Sequence, residues 1–191
     1  LRVDATSIVE QSKYLSKTID DFRNFFRPNQ DKEDIEVQKV FAEAVGIIGK
    51  SLEHANITLS IKESETKLSI RSYSRELLQV FLNLLKNSQE ALVEHTKEQR
   101  FIDVVINSDE DNVITTICDN GGGIAKETIE KIFDPYFSTK NEKVGTGLGL
   151  YMSKTIIEKH LHGSINVTSE EKTSCFKISI PKISKEESTY E

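Results

Sequence analysis

The 191-residue chain lacks any apolar run approaching the ~20 residues that a membrane-spanning helix needs, and nothing at its start reads as a signal peptide. Basic residues are not in excess. The 25 Lys and Arg against 31 Asp and Glu leave a net charge of −6, which argues against nucleic acid as partner, because phosphate backbones are bound by surplus positive charge. Only two cysteines occur, Cys118 and Cys175, in apolar strand-like segments without metal-site spacing, so reduced core thiols in a cytosolic protein are expected. The single methionine is Met152 and the chain opens at Leu1. We therefore expect a piece of a longer parent, with any membrane attachment in parts of the parent not present here. Glycine is sparse too, nine in all, yet six fall in two clusters, Asp119-Asn120-Gly121-Gly122-Gly123 and Gly145-Thr146-Gly147-Leu148-Gly149-Leu150. Glycine serves where backbone turns with φ > 0 or passes close to another group, so two clusters flanking a Lys-bearing loop point to a nucleotide held mainly by main chain.

Familiar phosphate loops are absent. No window fits G-x-x-x-x-G-K-[ST], and the G-x-G-x-x-G pattern starting at Gly145 meets Leu150 where its last glycine belongs. Leu1, Ala5, Ile8, Ser12, Leu15, Ile19, Phe22 and Phe26 alternate at spacings of four and three, a heptad seam that asks for a partner helix and ends at Pro28. We expect residues 1–28 to form a coiled-coil-like helix in an intermolecular bundle, residues 33–184 a single domain, and residues 185–191 a polar tail. Within the domain the patterns predict a short strand over 35–37, helices over 38–54, 74–96 and 148–160 (the last ended by Gly163), and strand pairs at 57–61 with 67–70, 101–107 with 113–118, and 164–169 with 173–180. Adjacent strand pairs with interspersed helices imply an α+β fold, a two-layer α/β sandwich with a mixed sheet and helices on one face.

The segment from Glu76 to Ala91, with Asn83 and Asn87, resembles the N box of sensor histidine kinases. Asp119-Asn120-Gly121-Gly122-Gly123-Ile124 resembles their G1 box, Phe133-Asp134-Pro135-Tyr136-Phe137-Ser138-Thr139-Lys140 their F box, and Gly145 to Leu150 their G2 box. The order is the family's, and the four motifs cover most of residues 77–150. The resemblance implies the Bergerat ATP-binding fold, shared with gyrase and the MutL repair proteins, with ATP and Mg²⁺ as cofactors. It implies Asn87 as metal ligand, Asp119 as acceptor of the adenine amine, and Asn83, Asn87 and Lys140 as the residues serving transfer. Nucleotide contacts are implied at Gly121, Gly123, Ile124, Phe133, Phe137, Thr139, Lys140, Gly145, Thr146, Gly147, Leu148, Gly149, Leu150 and Thr173.

Independent chemistry fits these assignments. Asn83 and Asn87 are four apart and share a helix face, and an amide oxygen suits Mg²⁺, which keeps several waters and binds phosphates beside few protein groups. Phe133 and Phe137 can anchor a lid while Lys140 and Lys143 reach phosphate. The family often has a basic residue one turn after the metal-binding Asn; Glu90 stands there, shifting phosphate neutralisation to Lys140, with Lys143 or Lys86 behind it. The Ser-Thr-Lys ending of the lid is similar to the nitrogen-regulatory and oxygen-sensing branch.

Related ATPases carry a Glu as water base where Asn83 stands, and Asn cannot accept a proton. The resemblance therefore implies phosphoryl transfer to a histidine. None of His54, His95, His160 and His162 has the acidic neighbour and downstream proline of the family's acceptor box, and all read as surface or helix-end histidines. The acceptor is expected upstream of Leu1, with residues 1–28 as the second helix of a dimerisation and phosphotransfer bundle. Homodimerisation through that helix and a response-regulator receiver domain as partner follow. A Bergerat-fold ATPase or serine kinase, and a nucleotide-sensing dimerisation module, are the alternative readings.

Overall fold

The computed structural model describes residues 32–96, 99–139 and 146–183. The heptad helix expected over 1–28, the lid residues Lys140, Lys143 and Gly145, and the tail 185–191 lie outside these described residues.

Strand β1 (Glu33–Glu36) runs directly into helix α1 (Val37–His54). Val40, Phe41, Ala44, Ile48 and Leu52 recur at three- and four-residue spacing and are all buried, while Ile47 on the far side is 60% exposed. Asn56, in the left-handed region at φ 53, turns the chain into β2 (Ile57–Glu63). After β3 (Ser69–Ser72) comes α2 (Ser74–His95), which buries Leu77, Val80, Phe81, Leu84, Leu85, Ser88 and Leu92. Glu76 in its first turn and His95 in its last suit the helix dipole. The antiparallel pair β4 (Arg100–Ser108) and β5 (Asn112–Asp119) follows, then a short α3 (Lys126–Ile129). Helix α4 (Gly149–Thr155) continues as a π-helical turn (Ile156–His160), before the hairpin of β6 (Ser164–Glu170) and β7 (Thr173–Pro181).

Five strands form one sheet in the order β2-β4-β5-β7-β6, parallel only between β2 and β4. The expected mixed sheet and two-layer architecture are present. One expected pairing is not: residues 57–61 and 67–70 do not pair with each other. β2 instead joins β4, and β3 joins β1 in a separate ribbon with Ile35 opposite Ile70. Alternation identifies a strand but not its partner, and a parallel partner requires a crossover, here supplied by β3 and α2.

Period two along the sheet sorts its faces. Ile102, Val104 and Ile106 of β4, Val113, Thr115 and Ile117 of β5, and Phe176, Ile178 and Ile180 of β7 are buried in the core with the helices. Phe41 of α1 meets Phe81 of α2 edge-on, their ring centres 5.1 Å apart. Cys118 and Cys175 fall out of phase with these core rows. They are half-buried on the opposite face and joined as a disulfide across β5 and β7, which corrects the expectation of reduced core thiols. The last helix ends at His160 as expected, and the Gly163 N–H donates to the Ile157 carbonyl at 2.8 Å. The left-handed residue there is His162, at φ 55, and Gly163 is required because a Cβ would lie 2.3 Å from the Ser179 carbonyl oxygen.

Phe81 is fully buried. Phe81→Ala is expected to cost about 3–5 kcal/mol, read as a lowered denaturant midpoint with an unchanged slope.

Candidate functional site

Where β5 ends, its inward row leaves the apolar core and opens on a cavity of about 380 Å³ between α2, the first glycine turn, residues 137–139 and the start of α4. Asp119 is the last inward residue of that row and is only 2% exposed. Burying a carboxylate is costly unless hydrogen bonds offset it. The Ser88 hydroxyl donates to one of its oxygens at 2.8 Å and the Gly121 N–H donates to the other at 2.9 Å. Burial raises the Asp119 pKa above the usual carboxylate value, against the lowering influence of Ser88 and Gly121. Each carboxylate oxygen has further acceptor capacity, and Asp119 lines the cavity.

The first glycine turn puts Gly121 and Gly123 on the cavity wall and packs tightly against protein behind it. A Cβ on Gly121 would stand 2.8 Å from both the Ala91 methyl and the Asp119 carboxylate. Gly123, at φ 74, is wedged against the β6–β7 turn, 2.9 Å from the Glu170 carbonyl oxygen by the same measure. The turn is tied there by Gly122 N–H to the Lys172 carbonyl at 3.1 Å and Ile124 N–H to the Ser169 hydroxyl at 2.6 Å. Asn120 points away, accepting from the Phe101 N–H and donating to the Gln99 carbonyl, and so anchors the start of β4.

Asn83 and Asn87 of α2 both line the cavity. Asn83 commits its amide to the other wall, donating to the Gly149 carbonyl at 3.1 Å and the Ser153 hydroxyl at 3.3 Å. It thereby fastens α4 to α2. A Cβ on Gly149 would sit 3.3 Å from the Asn83 amide oxygen, so glycine keeps that junction tight. Gly147, at φ 65, passes so close to the backbone of Tyr136 and Phe137 that a Cβ would lie 2.4 Å from the Tyr136 carbonyl carbon. The second glycine cluster and the aromatic segment therefore interlock.

Of the residues named from sequence, Ile124, Phe137, Thr139, Thr146 and Leu150 also line the cavity. Phe133, Leu148 and Thr173 do not. Phe133 packs against the core with the Lys154 ammonium 5.1 Å from its ring centre, and Leu148 is buried. Thr173 is out of phase with the inward row; its neighbour Ser174, opposite Asp119, lines the cavity instead, as does Phe176. Sequence reasoning missed these two β7 residues because only strand register brings them to the end of β5. It also gave no role to Ser88, although Ser88 lies on the core face of α2 beside Leu84, Leu85 and Leu92. His95, read as a helix-end residue, also lines the cavity, with Lys86, Glu90 and Glu94.

The histidine kinase-, DNA gyrase B- and HSP90-like ATPase family matches residues 72–184. Sporulation kinase A of Bacillus subtilis is 34% identical over 159 residues, which are 82% of this chain and 25% of that protein. Sensor histidine kinase ZraS of Salmonella typhimurium is 31% identical over 186 residues, 96% of this chain and 38% of its own length. The chain thus spans about a quarter to two fifths of these curated relatives. Among solved structures, the nucleotide-free catalytic domain of histidine kinase ThkA superposes with a TM-score of 0.71 at 27% identity, covering 80% of this chain and 97% of that one. A complex of ThkA with response regulator protein TrrA, 23% identical and covering 93% of this chain and 49% of that one, shares the fold at a TM-score of 0.71.

A raised pKa means that native Asp119 holds its proton more tightly than the unfolded chain does. Its contribution to stability is complete below the ordinary value of 3.8 and is lost as pH rises through the native value. Asp119→Asn should therefore keep the fold, with stability at pH 7 equal or higher and a flatter pH dependence above 3.8, measured by denaturant titration across pH.

Proposed function

The chain belongs to the histidine kinase-, DNA gyrase B- and HSP90-like ATPase family, and on that premise we propose that it binds ATP·Mg²⁺ in this cavity and passes the γ-phosphoryl group to a histidine of its parent protein upstream of Leu1. The phosphoryl group would then move to a receiver-domain aspartate of a response regulator, the class of partner with which ThkA was solved. The observation that carries this reading is Asp119, a buried carboxylate held by two donors on the wall of a cavity of about 380 Å³.

Adenine enters with its exocyclic amine towards Asp119, beside Ser174 and Phe176. A 6-oxo base would present a carbonyl to that carboxylate, and loss of such a buried hydrogen bond costs roughly 10⁴-fold in selectivity. Triphosphate lies towards Gly147, Gly149 and the start of α4, where N–H groups and the helix dipole favour anions. Asn87, on the cavity wall, fits a hard cation shared with the phosphates. Mg²⁺ there would neutralise developing charge. Among the described residues no group of three or more His, Cys, Asp or Glu is placed to hold a metal, so its remaining ligands would be phosphate oxygens and water. Lys140 completes the phosphate contacts, with Lys86 on the described wall as a second cation.

Asn83 acts as a positioning residue, holding α4 against the metal-bearing helix through Gly149 and Ser153. With no carboxylate at that position to activate water, transfer depends on positioning and charge neutralisation, and the acceptor supplies the nucleophile. Among the described histidines, His160 is engaged with the Glu76 carboxylate at 2.9 Å. Dimerisation through residues 1–28 and a cytoplasmic location belong to the same proposal; among the described residues no helix is long and apolar enough to cross a membrane.

Incubated with γ-labelled ATP and Mg²⁺, the chain should stay unlabelled yet label a supplied fragment of its parent bearing the upstream helix. Asp119→Asn should abolish that transfer. Stable label on the chain itself, or transfer at the wild-type rate by Asp119→Asn, would contradict the proposal.

A further inference from the structure

Cys118 and Cys175 oppose each other directly on β5 and β7, their Cα atoms 4.1 Å apart. We propose that they form a reversible thiol–disulfide exchange site on the outer face of the sheet, and that its oxidation state sets the affinity of the cavity for adenine nucleotide. This inference rests on the nucleotide reading above.

Placement carries the argument. Cys118 immediately precedes Asp119, and Cys175 lies between Ser174 and Phe176, all three neighbours lining the cavity. In the ladder Asp119 faces Ser174 and Ile117 faces Phe176, so the cross-link sits between two rungs that put Asp119, Ser174 and Phe176 on the cavity wall. The sulfurs lie on one face of the two strands and the base pocket on the other. The bond is also approachable. The residues flanking it along the same row are Asp103 of β4 and Thr168 of β6, both exposed, and the cysteines are half-buried. A buried core pair would be closed to a protein or small-molecule thiol.

The reductant is a dithiol. Its thiolate attacks one sulfur and forms a mixed disulfide, and the other cysteine leaves as a thiolate. The second thiol of the reductant resolves the mixed disulfide. Two electrons and two protons reach Cys118 and Cys175, and the reductant departs as a disulfide. A low-molecular-weight or protein disulfide drives the reverse reaction. Two unbonded thiols need more room than a covalent S–S bond, so reduction lets β5 and β7 relax from a Cα spacing of 4.1 Å towards the ~4.5–5.5 Å of an unlinked antiparallel pair. That widening passes to the adjacent rung and releases the fixed spacing of Asp119 and Ser174 that adenine requires.

The test is calorimetric titration of the whole chain with ATP, once oxidised and once reduced by dithiothreitol, with the disulfide state verified by alkylation and mass measurement. Reduction should weaken binding by at least about fivefold, the lower end of typical couplings between sites, and reoxidation with oxidised glutathione should restore it. Cys175→Ser should bind like the reduced chain and ignore dithiothreitol. Equal affinity in the two verified states, failure of the oxidised chain to form the disulfide, or a Cys175→Ser chain that still responds would overturn the proposal. ATP binding in neither state would overturn the nucleotide reading and this inference with it.

Discussion

A carboxylate at the end of a core row is the constraint around which the molecule is arranged. Asp119 continues the inward series of Val113, Thr115 and Ile117, so the pleat that builds the apolar core also drives an acid into it. A charge in that position is tolerated only with donors at hand. Ser88 reaches it from α2, and Gly121 reaches it from the turn immediately after. Ser88 is available because it sits on the face of α2 that packs into the sandwich. Gly121 fits because any side chain there would strike Ala91. Helix packing, strand register and turn chemistry thus converge on one group, and the cavity forms where that group stops the hydrophobic filling.

The glycine clusters line the cavity at Gly121, Gly123, Gly147 and Gly149 and also do a second kind of work. A ligand approaching bare backbone is the natural reading of Gly121, Gly122 and Gly123, yet the close contacts at Gly121 and Gly123 are with Ala91, Asp119 and the β6–β7 turn. At Gly147 the neighbour is the backbone of Tyr136 and Phe137, and at Gly149 it is the Asn83 amide. These residues let rigid elements meet without a gap, and the walls of the site follow from that fit. Asn83 is the clearest case, since its hydrogen bonds link the helix carrying Asn87 to the helix expected to face phosphate.

Much of this was legible from the chain alone. Helix α1, helix α2 and the β4–β5 and β6–β7 pairs follow from periodicity with boundaries within a few residues. The cavity brings Asn87, Asp119, Gly121, Gly123 and Phe137 together from segments up to 50 positions apart, between 87 and 137. What escaped depends on which strand lies beside which. Alternation could not tell that β2 pairs with β4, nor that Ser174 rather than Thr173 stands opposite Asp119. The same phase error misplaced the cysteines, because an apolar run reads as core even when alternate residues face outward. His95 escaped because its role as a lining residue arises only from the close packing of the end of α2 on Gly122.

The central claim is that Asp119 reads the amine of adenine, and the most direct measurement compares ATP with inosine triphosphate on the same chain by calorimetric titration. The two nucleotides differ only at the edge of the purine, with identical phosphates and ribose. The account predicts that the inosine nucleotide binds weaker by roughly 10⁴-fold, the scale expected when a buried acceptor loses its donor. Equal affinity for the two would contradict it.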